Sequence, residues 1–352
     1  MPLVSICLPN FNTRQFLGAR MASIKNQTLR DWELIVCDSY SDDGAWEYLC
    51  GYTKDPRIQL FQVPREGLFA GWNECLRRVS GRYVYIATSD DTAYPNLLER
   101  LVGVLERFPR AGVGIGKFDF IDEQGRIIAP TQGIPGSFFG AWQNVPHLRS
   151  GWVDFLVHTQ MGTSWTSITS ALFRADIVKR AGLFRTDVGK GESYADRFWA
   201  MKVACLADTV SVPEVVATWR VHPGQASRRE AAGWRTKNLR MTEETIQECA
   251  HRIPPQWKQD PQWLNKLLFG MRQYYLDGFG LNRMIMKRSP SMFLKGVGRA
   301  LFREPGYLMR RLTSGLSWDT EDMSDAQKMV NELIQEWQVP WPPEPVTDQR
   351  GG

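Results

Sequence analysis

The segment YVYIATSDDTAYP, residues 83–95, runs from a short apolar stretch directly into two adjacent carboxylates, Asp90 and Asp91. Its aromatic and β-branched residues predict a buried strand, and Pro95 favours the first turn of a following helix. Open α/β sheets bind ligands in the crevice outside the carboxyl ends of their strands. The segment therefore predicts a polar site at a strand end, where the two acids either hold a cation or cap the next helix.

The first hundred residues alternate between apolar runs and helix-like stretches. Four apolar runs predict strands, and they are VSICLP, WELIVCD, RIQLFQV and YVYIATSDD. Unbroken apolar strands that are connected by helices are typical of an α/β fold with a mostly parallel sheet covered on both faces. Because Asp38 ends the second run as Asp90 and Asp91 end the fourth, we expect three carboxylates at one edge of one sheet.

Composition indicates a folded protein of the cytoplasm. The chain has 352 residues, of which 43% are hydrophobic and 23% are charged. No stretch approaches the roughly 18 consecutive apolar residues of a membrane span, and the N-terminus lacks the basic region and cleavage site of a signal peptide. The six cysteines form no C-x-x-C pair and have no histidine at zinc-ligand spacing. We expect them to be reduced and structural.

Positive charge is concentrated near the C-terminus. Residues 283–311 contain eight basic side chains and one acid, interleaved with apolar residues at helical spacing. This pattern favours a basic amphipathic helix at an anionic membrane surface, and the alternative is a helix that packs its apolar face on the rest of the protein. Because the chain lacks a basic, aromatic-studded nucleic-acid motif, we expect no nucleic-acid partner.

Four segments, taken in order, resemble family 2 glycosyltransferases with the GT-A fold. They are VSICLPNFN at 4–12, SIKNQTLRDWELIVCDSYSDDG at 23–44, REGLFAGWNECLRRVSGRYVYIATSDD at 65–91 and VPEVVATWRVHPGQAS at 212–227. The resemblance covers roughly residues 1–227 and implies a Rossmann-like sheet that binds a nucleotide sugar. It also implies transfer of the sugar with inversion and dependence on a divalent metal ion, Mn²⁺ or Mg²⁺.

The resemblance assigns donor-binding roles to several residues. Phe11 stands where an aromatic ring stacks on the base, and Asp38 stands where a carboxylate accepts the imide N–H of uracil, which predicts a UDP-sugar. Asp90 is assigned to a ribose hydroxyl or an indirect contact. The predicted donor-binding set is Pro9, Phe11, Asn12, Asp38, Gly67, Asn73 and Asp90.

The same resemblance implies a metal site and a catalytic base. Asp91 is predicted to bind the metal, and His222 to ligate the metal or touch the diphosphate. Asp196 begins a predicted helix, where the helix dipole favours an ionised carboxylate, and it matches the family's general base. Glu192 is the competing candidate. Direct displacement at the anomeric carbon needs a base for the acceptor hydroxyl and a cation for the departing diphosphate.

Two positions depart from the family's pattern. Thr88 stands where the D-x-D-D segment has its leading aspartate, and Ser39 replaces the acid that usually follows Asp38. They leave a second hypothesis, a nucleotide-sugar-binding protein with impaired catalysis. The presence of Asp196 favours the enzyme, because a binding protein needs no base.

The predicted domain organisation follows from the resemblance and from the helical pattern after it. We predict a GT-A catalytic domain over residues 1–227, a helical region over 228–340 and an extended, proline-rich tail over 341–352. The expected acceptor is a saccharide or lipid-linked saccharide for a surface polysaccharide. Peripheral attachment to the inner face of the membrane through residues 283–311 would suit such an acceptor.

Overall fold

The chain forms two compact units, which we describe separately. A computed structural model describes residues 1–165, 167–187, 195–225, 234–277, 289–303 and 324–346. One unit comprises Met1–Asp154, Ser164–Glu230 and Pro340–Gly352, and the other comprises Phe155–Thr163 and Ala231–Val339. The expected domain limits at residues 227 and 340 stay predictions, because compact packing alone does not define where a functional domain ends.

The first unit is built on one mixed β-sheet. Its strands in the described residues are β1 Val4–Asn10, β2 Trp32–Asp38, β3 Ile58–Gln62, β4 Tyr83–Ile86, β5 Thr92–Ala93, β6 Ala111–Ile121, β7 Ile127–Gln132, β8 His147–Arg149, β9 Ala171–Arg174, β10 Asp208–Arg220 and β11 Glu344–Pro345. The main path through the sheet is β11-β8-β10-β6-β9-β4-β1-β2-β3, with β5 paired to β10 and β7 to β6. Strands β3, β2, β1 and β4 are parallel, and β9 runs antiparallel to its neighbours β4 and β6.

Eight α-helices accompany the strands over this part of the described chain. They are α1 Arg14–Lys25, α2 Ala45–Cys50, α3 Leu68–Leu76, α4 Leu97–Arg107, α5 Gly136–Phe139, α6 Gly151–Met161, α7 Ala175–Ala181 and α8 Ala195–Ala204. Every residue of β1 and β2 is buried, so both faces of the central sheet are covered. The predicted α/β class with a mostly parallel core is confirmed.

Strand β4 is shorter than the sequence predicts. Its pairing with β1 ends at Ile86 opposite Cys7, whereas the apolar run predicts a strand that continues to the two acids. The chain leaves the sheet because the carbonyl of Thr88 accepts a 2.6 Å hydrogen bond from Nε of the buried Arg20 instead of a strand partner. Both acids of the opening segment therefore lie in the loop between β4 and β5.

Helix α3 lies directly against β1. An added Cβ at Gly71 would approach Cβ of Pro9 to 2.9 Å. Gly67, immediately before the helix, has φ +102°, a backbone conformation that glycine adopts without strain. Gly71 is therefore explained by the packing of α3 on β1, and Gly67 by the backbone conformation that precedes the helix.

The second unit is helical, as predicted. Its helices are the later part of α6, α9 Trp234–Cys249, α10 Trp263–Leu267, α11 Phe269–Asp277, α12 Pro290–Arg303 and α13 Ser324–Glu336. Helices α10 and α11 are separated only by Leu268, and residues 278–288 lie outside the described residues. Trp257 stacks on Trp337 with ring centroids 4.6 Å apart.

Two further sequence expectations concern the C-terminal region. Residues 344–345 of the predicted tail form β11 and pair antiparallel with β8. Within the described ranges, no helix has the length and apolar content needed to cross a membrane.

Candidate active site

Asp91 is turned into the protein. The residue is only 4% exposed. Oδ1 accepts the backbone N–H of Arg220 at 2.7 Å, and Oδ2 accepts the hydroxyl of Thr88 at 2.6 Å. Burial, followed by the neighbouring charge of Asp90, raises the pKa of Asp91 to about 7. Asp91 therefore fastens the β4–β5 loop to the end of β10, which is a structural position for the residue that the sequence assigns to the metal.

Asp90 points the other way and meets His222. Its carboxylate Oδ2 lies 3.1 Å from Nε2 of the imidazole, and the two side chains are 22% and 10% exposed. Phe16 of α1 packs against the His222 ring with the centroids 4.8 Å apart. The structure thus brings together two of the predicted site residues, although the sequence gives Asp90 and His222 separate roles.

Arg220 holds the loops of this site in place. Its Nε donates to the backbone carbonyl of Asp90 at 2.6 Å, and its Nη1 donates to the carbonyls of Asp122 and Glu123 at 2.7 and 2.9 Å. Burial lowers the pKa of its guanidinium. The side chain therefore joins the β4–β5 loop to the β6–β7 turn, a role for which the sequence carries no signal.

Asp38 lies at the carboxyl end of β2 and is fully buried. Oδ1 accepts hydrogen bonds from Nδ2 of Asn10 and from the hydroxyl of Ser41, both at 2.6 Å, and Oδ2 accepts the Ser41 N–H at 2.9 Å. These bonds close the loop that follows β2 onto the end of β1. Through these hydrogen bonds Asp38 stabilises the two loops that are expected to bind the base.

The loops after β1 and β2 are also tied directly to each other. Asn12 and Asp42 exchange two hydrogen bonds, Nδ2 to Oδ1 at 2.7 Å and backbone N–H to Oδ1 of Asn12 at 3.0 Å. The backbone N–H of Arg14 donates to Oδ2 of Asp43 at 2.8 Å. Asn12 and Tyr40 both have positive φ angles, +51° and +53°. Non-glycine residues take such angles where the surroundings enforce them.

The guanidinium of Arg65 packs on the aromatic ring of Phe11. The Cζ atom of Arg65 lies 3.8 Å from the ring centroid, the distance of a close cation–π contact. Arg65 is exposed and stands in the loop before α3. One face of the ring to which the sequence assigns base stacking is therefore covered by a guanidinium. Sequence reasoning missed Arg65 because an exposed loop arginine has no distinguishing pattern.

Asn73 is buried inside the first unit. Its Nδ2 donates to the carbonyl of Phe184 at 2.9 Å, and its Oδ1 accepts the N–H of the same residue at 2.8 Å. Both the donor and the acceptor of the Asn73 amide therefore bond to the backbone of Phe184, in the segment that follows α7. The donor-binding roles of Asn73, Gly67 and Pro9 stay predictions.

Asp196 lies in the first turn of α8 and is partly buried. Its Oδ1 accepts the backbone N–H of Arg197 at 2.8 Å. Burial raises the pKa of Asp196 to about 6, against the lowering effect of backbone hydrogen bonds and of the Arg197 charge. A carboxylate with this pKa is ionised at neutral pH and is a stronger base than an ordinary aspartate. The competing candidate, Glu192, lies outside the described residues.

The described residues contain no group of three or more His, Cys, Asp or Glu that could hold a metal ion. The Asp90–His222 pair offers one carboxylate and one imidazole. Mg²⁺ is commonly bound by one or two protein carboxylates and completed by substrate phosphates and water. A divalent ion that arrives with a diphosphate therefore fits this pair, whereas a cage made only of these protein side chains does not.

Comparison with known proteins identifies the class. Residues 5–165 match the family model described as Glycosyl transferase family 2. The match covers somewhat less than half of the chain, and over that part the chain is similar to family 2 glycosyltransferases.

One curated relative is the UDP-Glc:alpha-D-GlcNAc-diphosphoundecaprenol beta-1,3-glucosyltransferase WfgD of Escherichia coli. It is 30% identical over 134 residues, which are 37% of this chain and 52% of WfgD. The match spans about half the length of two of the first curated relatives and 68% of a third.

Solved structures confirm the GT-A fold. S. aureus TarS 1–349 in complex with UDP-GlcNAc has a TM-score of 0.58 at 14% identity, over 98% of this chain and 99% of that one. The mannosyltransferase PcManGT from Pyrobaculum calidifontis, in complex with GDP-Man and Mn²⁺, has a TM-score of 0.50 at 18% identity, over 96% and 88% of the two chains. At these identities the likeness shows the fold alone.

Proposed function

We propose that this protein is an inverting glycosyltransferase that transfers a sugar from a nucleotide-sugar donor, a UDP-sugar, to a saccharide or lipid-linked saccharide acceptor in surface polysaccharide synthesis. The observation that carries the proposal is the Asp90–His222 pair, which lies at the carboxyl edge of the sheet of a family 2 domain. The name of WfgD supports the donor and acceptor classes, since it describes transfer from UDP-Glc to a sugar on a diphosphate-linked polyprenol.

The nucleotide is proposed to bind over the loops that follow β1 and β2. Phe11 and Arg65 form a stacked pair there, and a planar base can extend that stack. Asp38 and Asn12 are proposed to support the base through the loops that they hold, because their side chains bond to neighbouring residues of the protein. Donor selectivity would then depend on Arg65 and the loop backbone.

The diphosphate is proposed to lie beside Asp90 and His222. In this proposal the metal ligand is Asp90 rather than Asp91, because both oxygens of Asp91 accept hydrogen bonds from the protein. A divalent ion, Mn²⁺ or Mg²⁺, would supply positive charge that stabilises the departing diphosphate. The contribution of the protein is to hold the carboxylate and the imidazole 3.1 Å apart at a fixed loop.

Asp196 is proposed as the base that accepts the proton of the acceptor hydroxyl. A pKa of about 6 suits this role, because the base is ionised at neutral pH yet close enough in pKa to take a proton in the transition state. The helix N-terminus beneath it favours the ionised form.

A nucleotide-sugar-binding protein is the alternative, and one observation favours it. The Thr88 hydroxyl donates to Asp91 at 2.6 Å, where the resembling enzymes carry a further acid. The loop of this protein therefore has one carboxylate fewer for a cation. Impaired turnover with retained nucleotide binding would follow from that loss.

A donor panel separates these functions. The protein would be incubated with UDP-, GDP- and dTDP-sugars in the presence of Mn²⁺, Mg²⁺ or chelator, and release of the nucleotide diphosphate would be measured with a mixed polyprenol-linked saccharide acceptor. We expect metal-dependent release from UDP-sugars that disappears in Asp196→Asn. Binding of UDP without turnover of any donor would instead establish the binding protein.

An anionic membrane surface belongs to the proposed partners, and we propose peripheral attachment at the inner face of the membrane. A lipid-linked acceptor is presented at such a surface. About half of the predicted basic segment 283–311 lies outside the described residues, and α12 falls within the described half.

A further inference from the structure

Helix α12 leaves four large apolar side chains in contact with solvent. Met292, Leu294, Leu301 and Phe302 are 56%, 67%, 49% and 90% exposed. Exposed apolar side chains are individually ordinary on a protein surface, but a cluster of them on one element indicates an interaction site. Three of the four, Leu294, Leu301 and Phe302, lie on neighbouring sides of this helix of 14 residues and form such a cluster.

The apolar and basic residues of α12 occupy adjacent lines of the helix. Leu294 and Leu301 are seven residues apart and lie on one line. Lys295, Arg299 and Phe302 are spaced four and three residues apart and lie on a second line, one residue further around the helix than the line of Leu294 and Leu301. Gly296 is buried and marks the inward side, while Lys295 and Arg299 are exposed. The outward half of the helix therefore presents an apolar line bordered by cations.

We propose that α12 lies in the interface of an anionic lipid bilayer. The Leu294–Leu301 line and Phe302 would enter the boundary between headgroups and acyl chains, and Lys295 and Arg299 would contact lipid phosphates. The charge of the helix argues for this occupant, since its sequence PSMFLKGVGRALFR contains no acid. The inference rests on the proposed function in one respect, namely that a lipid-linked acceptor resides in the same surface.

The dimensions of the helix decide how it meets the lipid. Fourteen residues extend for about 21 Å at the usual helical rise, which is shorter than the hydrocarbon thickness of a bilayer. The helix also carries basic side chains along its outward half. It therefore lies on the membrane instead of crossing it.

Vesicle flotation of the full chain tests the proposal. Phosphatidylcholine vesicles would be compared with vesicles that also contain phosphatidylglycerol. We expect binding to the anionic vesicles, with a partition coefficient lowered about 30-fold by Lys295→Gln/Arg299→Gln. We expect Leu294→Ser/Leu301→Ser/Phe302→Ser to lower it by more than about 100-fold.

Matched controls come from other exposed positions. Ile127→Ser/Ile128→Ser removes apolar side chains that are 63% and 51% exposed on β7, and Lys54→Gln/Lys179→Gln removes two exposed cations. We expect both control variants to float like the parent protein. Far-UV circular dichroism and UDP binding would establish that the α12 variants are folded.

Three results would overturn the proposal: equal binding to neutral and anionic vesicles, unchanged binding of both α12 variants, or equal losses in the control variants. A second copy of the chain as the occupant would appear as self-association that is lost in the α12 variants without vesicle binding by the parent. The assay involves no turnover, so it can succeed or fail independently of the donor panel. Activity of the α12 variants on a water-soluble acceptor completes the separation.

Discussion

Nε2 of His222 lies 3.1 Å from Oδ2 of Asp90, so the segment after β10 meets the loop after β4 in a polar contact. The two residues are 132 positions apart in the chain. Arg220 and Asp91 bring the segments together, since the backbone N–H of Arg220 donates to Asp91 and its guanidinium donates to the Asp90 carbonyl. Asp91 therefore holds the loop after β4 in place, whereas the side chain of Asp90 is partly exposed beside His222.

Substitution of the two adjacent acids should have different consequences. Asp91→Ala removes the acceptor for two buried hydrogen bonds, and we expect it to lower the free energy of unfolding by about 2 kcal/mol. Asp90→Ala removes a partly exposed partner of His222 and should change stability by less than about 1 kcal/mol. Urea unfolding of both variants measures these effects.

Activity provides the complementary measurement for this pair. Asp90→Ala should lose at least about 100-fold in sugar transfer while it stays folded. Equal stability losses in the two variants, or a fully active Asp90→Ala protein, would contradict the assignment of these residues.

Removal of Arg65 should weaken nucleotide binding. In Arg65→Ala the base loses a stacked cation, and we expect the Kd for UDP measured by calorimetry to rise about fivefold. Arg57→Ala is a matched control, because the Cζ atom of Arg57 also lies 3.8 Å from an aromatic ring, that of Trp32 at the start of β2. A similar change of the Kd in both variants would mean that the effect comes from general stability and not from the base site.

The pH dependence of the rate should report Asp196. Its pKa of about 6 predicts a kcat that is constant above pH 7 and falls about tenfold per pH unit well below 6, because the protonated acid cannot accept the proton of the acceptor. Asp196→Asn should lower kcat by about 100-fold or more, and its rate should no longer show this acid limb, the fall in kcat below pH 6.

Two controls define the Asp196 experiment. UDP binding should change little over the same pH range. Asp176→Asn, another acid in the first turn of a short helix, should leave the profile unchanged. A profile with the same acid limb in Asp196→Asn would assign the base to another residue.

A buried histidine should make the first unit sensitive to acid. His147 is fully buried, its Nδ1 lies 2.8 Å from the Val145 carbonyl, and its Nε2 lies 3.0 Å from Nη1 of Arg149. Because the guanidinium can only donate, Nε2 accepts and the ring is neutral. Burial, followed by the charge of Arg149, lowers the pKa of His147 to about 4.

The direction of the pH effect follows from that lowered pKa. The unfolded chain binds a proton at His147 near pH 6.5, whereas the folded protein does not bind it until about pH 4. Stability is therefore complete above pH 6.5 and declines as the pH falls toward 4. Between pH 7 and 4.5 we expect His147→Gln to lose about 2 kcal/mol less of its unfolding free energy than the parent protein. Equal losses in urea titrations would contradict this origin of the acid sensitivity.

Part of this site can be predicted from sequence because strand ends follow from local hydrophobicity. The apolar runs place Asp38, Asp90 and Asp91 near one edge of the sheet without any knowledge of tertiary contacts. The direction in which each acid points is different, since it depends on a backbone N–H at Arg220, 129 residues away. A pattern of adjacent aspartates contains no information about that contact.

The same limit applies to residues whose role depends on distant partners. The resemblance assigns Asn73 to the donor-binding set, but its amide bonds with Phe184, 111 residues further along the chain. The Phe11–Arg65 contact joins two loops that are adjacent only after β1 and α3 have packed. Local sequence determines the elements, and long-range packing determines which side chains face the ligand.

The hydrogen bonds between the loops after β1 and β2 have a consequence for the thermodynamics of donor binding. Asn12 and Asp42, with Arg14 and Asp43, fix these loops during folding. The nucleotide then meets a surface whose backbone is already ordered, so little conformational entropy is lost when it binds. We expect association to be fast and governed by diffusion and charge, and differences in affinity among nucleotides to appear in their dissociation rates.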